Sequence, residues 1–136
     1  MKKSPLLATM LVLVLAGCSH QMRYRDGSSD PLNPRVFVVA GRGIAVNQEP
    51  IYIAPDAKNV TIVWQLPADS KYTCPDDGIV VRDGKEEFKC GFERENKQRY
   101  ACLFANTKPG RFKYTIRVLD NGTELRPLDP SIVTLW

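Results

Sequence analysis

Cysteine, histidine and paired carboxylates are the residues of this 136-residue chain whose types and spacing could carry chemistry. Cys90 and Cys102 lie in "EEFKCGFERENKQRYACLF", residues 86–104, each flanked by aromatics and separated by a charged stretch. Such a pair could be a structural staple, a metal or redox site, or core residues that happen to carry sulfur. No Cys-x-x-Cys occurs and no feature of the sequence lowers a thiol pKa, which argues against a redox role. The one histidine, His20, lies near the N-terminus, well away from these cysteines. The body of the chain therefore offers neither a His/Cys cluster for zinc nor the ligands of a blue-copper site. It also lacks a Cys-His or Ser-His pair for nucleophilic catalysis. Adjacent carboxylates stand at Asp76/Asp77 and Glu86/Glu87, but neighbours in an extended strand point to opposite faces and do not converge. The expectation is a non-enzymatic protein that uses no cofactor and no metal.

A fourth cysteine, Cys18, belongs to the N-terminus. Lys2 and Lys3 form a short positive region, residues 6–16 are apolar, and Leu15-Ala16-Gly17-Cys18 closes the run with small residues. About a dozen apolar residues are too few for a spanning helix, which needs about 20. The ending resembles a bacterial lipobox, and that resemblance implies cleavage before Cys18 and acylation of its sulfur. Each buried acyl methylene contributes about 0.8 kcal/mol, so a multiply acylated cysteine can hold a soluble domain on a membrane. Ser19 stands where an aspartate would signal inner-membrane retention in enteric-type lipoproteins. The resemblance thus implies the outer membrane, at its periplasmic face. The whole chain is similar to small lipoproteins of Gram-negative envelopes.

Cleavage there divides the chain into a signal peptide (1–17), a lipidated cysteine with a flexible tether (18–34), and a body (35–136). The polar tether, "SHQMRYRDGSSDPLNP" after the cysteine, would reach roughly 20 Å if flexible. Loss of Lys2 and Lys3 lowers the net charge from +4 to +2. So mild and scattered a balance does not point to nucleic acid. Cys74, Cys90 and Cys102 remain, in a compartment where disulfides persist. Three thiols allow at most one intramolecular bridge and leave one over.

Strands must position these residues, because the apolar period of the body is two. In "NVTIVWQL" Val60, Ile62, Trp64 and Leu66 share one side, and in "RFKYTIRV" Phe112, Tyr114, Ile116 and Val118 do so. Shorter strand candidates are 35–40, 50–54, 78–81, 86–92, 99–104 and 131–136, separated by Gly, Pro and Asp turn signals that include 41–43. Pro75-Asp76-Asp77-Gly78 reads as turn chemistry rather than a calcium loop. About seven to nine short strands with frequent turns predict an all-β, antiparallel, immunoglobulin-like sandwich. A hairpin centred on Asn96 would pair Phe88 with Phe104, Cys90 with Cys102, and Phe92 with Tyr100, all six on one buried face. This favours a Cys90–Cys102 disulfide with Cys74 as the free thiol. A bridge from Cys74 to either partner, and no bridge, remain as alternatives.

"KPGRFKYTIRV" resembles the Pro-Gly turn and following strand of cupredoxin-like and immunoglobulin-like sandwiches, without the copper ligands of the former. Tyr100-Ala101-Cys102 resembles the Tyr-x-Cys of an immunoglobulin F strand, with Trp64 as the core tryptophan. No cysteine precedes Trp64 within the body, so the inter-sheet disulfide of antibody domains has no counterpart. What these features imply is an anchored structural or protein-binding module whose partner is another envelope protein. The alternatives are an accessory docking lipoprotein of a secretion or envelope machine, and an inhibitor of lysozyme-type hydrolases. Residues Glu93, Arg94, Glu95, Asn96, Lys97, Gln98 and Arg99 form the charged candidate binding loop.

Overall fold

The computed structural model describes residues 30–40 and 43–136; the segment read as signal peptide (1–17), Cys18 and the tether as far as residue 29 lie outside them. The described chain forms twelve strands in several sheets, joined by one short 3-10 turn, Lys85–Glu87. Two sheets face each other. One has the order β4-β8-β7 and comprises β4 (Val60–Gln65), β8 (Asn96–Phe104) and β7 (Phe88–Glu93). The other has the order β3-β12-β9-β6 and comprises β3 (Ile51–Tyr52), β12 (Ser131–Thr134), β9 (Gly110–Ile116) and β6 (Ile79–Val81). Hydrogen-bonded neighbours in both run antiparallel, except that β12 and β3 run parallel.

Period-two alternation explains the core between these sheets. Ile62 and Trp64 of β4, and Phe112, Tyr114 and Ile116 of β9, turn to one side and are buried. The layers meet ring to ring: Trp64 lies 5.2 Å from Tyr114, and Phe112 lies edge-on 5.4 Å from both Phe88 and Phe104. Edge-on contacts place a positive ring edge against a negative face and add to the burial itself. Trp64 Nε1 donates to Tyr114 Oη at 3.2 Å, so the indole brings its polar atom into the core with a partner.

Smaller ribbons complete the body. β1 (Val36–Val39) pairs with β2 (Gly43–Val46), and β10 (Leu119–Asp120) pairs with both β11 (Thr123–Glu124) and β5 (Tyr72–Thr73). The second strand of the first ribbon begins in the stretch read from sequence as a turn. A further correction concerns residues 30–34, read above as the end of the tether. Pro34 is fully buried and Leu32 packs on the core. Val63 N donates to Leu32 O at 2.8 Å and Gln65 N to Pro34 O at 3.1 Å, so this segment runs along the open side of β4. Arg35 continues that alignment in a parallel bridge with Gln65. The polar composition hid the pairing, because a strand laid on a sheet by its backbone needs no apolar period.

Candidate functional site: the open margin of β7

The hairpin register read from the sequence is present: Phe88 faces Phe104, Cys90 faces Cys102, and Phe92 faces Tyr100. Cys90 and Cys102 form a disulfide with Cα atoms 4.0 Å apart, and Cys74 is a buried free thiol. Burial pushes the Cys74 thiol up to about 11, so it holds almost no thiolate at neutral pH and is a poor nucleophile.

The face itself differs from the expectation that all six side chains would be buried. Phe88, Tyr100, Cys102 and Phe104 are buried, whereas Phe92 is half-buried and Cys90 is exposed. The reason is position. β7 is the outer strand of its sheet and β6 the outer strand of the opposite one, and a cleft of about 320 Å³ opens between them. Ile79, Val81, Phe88 and Tyr100 give it an apolar lining, Cys90 lies at its rim, and Asp76, Asp77 and Lys85 add charge.

Backbone geometry makes both margins of this cleft open. Cα atoms as close as those of Cys90 and Cys102 mark a pair that does not exchange backbone hydrogen bonds. Lys89 and Gly91 therefore turn their N–H and C=O groups toward β8, and Phe88, Cys90 and Phe92 turn theirs away from the sheet. On β6, Arg82 N donates to Lys113 O and Arg117 N to Gly78 O, each at 2.8 Å. That spacing directs Val80 toward β9 and leaves the backbone of Ile79 and Val81 pointing outward. Among the described residues no strand pairs with β7 on its outer side.

The charged tip is more strand than loop. Asn96 already belongs to β8, and the turn proper is Arg94-Glu95, both in the left-handed region at φ 50° and 61°. Two such residues match the twist of flanking antiparallel strands. A register shift at Phe92/Glu93 sets Glu93 opposite Asn96 and leaves residues 97–99 as the surplus on the β8 side. Those surplus residues are structural. Lys97 O accepts from Cys74 N at 2.7 Å and Gln98 O from Leu66 N at 2.9 Å. Gln98 Nε2 donates to the carbonyls of Ser70 and Tyr72 at 3.0 and 3.1 Å. Arg99 donates to Glu93 Oε2 and, at 2.8 Å, to Gln65 Oε1, and the guanidinium holds the Glu93 carboxyl below its ordinary range. Arg94, Glu95, Asn96 and Lys97 present exposed side chains.

The carboxylates named from sequence do not converge. Asp77 pairs with Arg117, Glu86 with Lys108, and Glu87 turns inward onto Thr107. Among the described residues no group of three or more His, Cys, Asp or Glu is placed to hold a metal ion. Sequence reasoning missed Glu87 and Asn106 as buried polar anchors. Asn106 Nδ2 donates to the carbonyls of Ala54 and Ala57, both at 2.9 Å, across some fifty residues of chain that no local pattern links. No protein-family model and no curated protein matches the chain.

Proposed function

We propose that this chain is a non-catalytic binding module of the cell envelope, held on the outer membrane at its periplasmic face by a lipidated Cys18. Its working surface is the open margin of β7, which receives an extended segment of another envelope protein. The observation that carries this reading is the outward-facing backbone of Phe88, Cys90 and Phe92 beside an apolar cleft. Strand addition uses these two elements together: main-chain hydrogen bonds supply affinity, and alternate side chains of the guest enter a pocket. The positive start, apolar run and small-residue ending of residues 2–18 support the anchor. A docking subunit of a secretion or envelope machine would use the same margin.

A photoreactive residue in place of Lys89, in intact cells, tests the reading. Discrete adducts with envelope proteins are expected there and not at Lys113, which is exposed on the other sheet. The absence of any adduct at position 89 overturns it. Cys18→Ser tests the anchor separately, with loss of incorporated fatty acid as the expected result.

A second reading, inhibition of a lysozyme-type hydrolase, draws support from the exposed tip Arg94–Lys97, which its tight turn and the adjacent ion pair hold in one shape. Inhibition at micromolar protein that Arg94→Ala or Lys97→Ala weakens would support it.

A further inference from the structure

We infer that the strand received by the β7 margin is β7 of a second copy, in an antiparallel pairing with its two-fold axis at Gly91. This rests on the strand-addition reading above and names the partner. The inference comes from the sequence of β7 itself, Phe-Lys-Cys-Gly-Phe-Glu, placed on the geometry of its open side.

A closed two-fold contact must be self-complementary, because each residue that faces j on the partner is faced by it in return. With Gly91 on the axis, Cys90 faces Phe92 of the second copy. Both have outward-pointing backbone, so each pair exchanges an N–H and a C=O in both directions. Gly91 then faces itself at a position where the two Cα atoms come closest. A Cβ built on Gly91 meets no atom within 4 Å of its own chain, so the outer face of the sheet is open at the axis and position 91 accepts a small side chain.

The charges select this register from its neighbours. Lys89, Gly91 and Glu93 share the outer face of the sheet, since residues two apart do. Lys89 then stands directly opposite Glu93 of the second copy, and Glu93 opposite the second Lys89, in the pair type that brings side chains nearest. A shift of two residues one way would set Lys89 against Gly91, and the other way would carry it past the end of β7 to Glu95 in the turn, so either loses the Lys89–Glu93 pairs. Lys89 is exposed and forms no salt bridge among the described residues. Arg99 takes Oε2 of Glu93, which leaves Oε1 to the partner's lysine. On the inner face, the half-buried Phe92 and exposed Cys90 of each copy cover one another, which completes the lining that β6 leaves open. The result is one continuous sheet in the order β4-β8-β7-β7-β8-β4 across the axis.

Lysine on an outer strand and a register shift near its end are also devices that discourage strand addition. The two possibilities separate in one experiment. Gly91→Cys in the full-length chain is oxidised in intact envelopes and resolved without reductant. The expected result is a 91-to-91 linked dimer, confirmed by peptide mapping, several-fold more abundant than the dimer from Lys113→Cys. Adding Lys89→Glu should abolish the excess, and adding Lys89→Arg should keep it. A linked fraction at position 91 no greater than at 113 overturns the inference and identifies Lys89 as a guard. If adducts with other envelope proteins still form at position 89, the strand-addition reading stands without the second copy. If neither product forms, both fall.

Discussion

Glu87 ends a 3-10 turn at the surface, yet its carboxylate is buried and accepts from both the backbone N–H and the hydroxyl of Thr107. These bonds hold the carboxyl below its ordinary range, with the Thr107 hydroxyl as the largest cause. Glu87→Ala strips both acceptors from the Thr107 N–H and hydroxyl. The expected loss is about 2 kcal/mol in denaturant unfolding, with Glu87→Gln between the two because its amide keeps one acceptor. Cys74 makes a separate prediction at the same scale. Buried, and with its thiol pushed up to about 11, it should resist alkylation in the native protein at neutral pH and react only at the rate of unfolding. Labelling of Cys74 as fast as a free peptide thiol would contradict the geometry.

The β7–β8 hairpin is the element most fully legible in the sequence. Aromatics and cysteines at period two on both sides of a charged stretch fix the register, because a slip of one residue would turn the whole set outward. Arg94-Glu95 was not legible as a turn, since neither residue is the glycine or asparagine that usually accepts a left-handed conformation. Two-residue strands such as β5, β10 and β11 have no measurable period, and Glu87 and Asn106 lie at ends of elements where tertiary contacts alone decide burial. Exposure of Cys90 depended on which strands lie outermost, a matter of topology. Cys90→Ala together with Cys102→Ala removes a bridge between residues twelve apart. The expected cost is about 3 kcal/mol in the entropic account, with the β4–β9 core contacts unchanged. Preserved near-ultraviolet circular dichroism alongside a lowered denaturation midpoint would be the signature.

At the scale of the whole molecule, acid is the condition to which the fold responds. Glu86, Glu87, Glu93, Glu124 and Asp129 are all held below their ordinary range, chiefly by hydrogen bonds to Lys108, Thr107, Arg99, Arg117 and Thr115 respectively. A carboxylate depressed in the folded state adds stability that is complete above its unfolded pKa and is lost as pH falls toward the folded one. Thermal stability should therefore vary little near neutrality and fall below about pH 4.5. Salt should weaken the exposed ion pairs first, and Glu87→Gln should flatten the acid limb. Residues 32–34 lie along β4 in the same direction as the strand, joined to it through Leu32 and Pro34. A pull on the chain ahead of Asp30 therefore loads those hydrogen bonds sideways and together, as a lap joint is loaded, instead of peeling them one at a time. The protein enters its sheet through a mechanical clamp at the β4 margin, at the far side of the same sheet from β7.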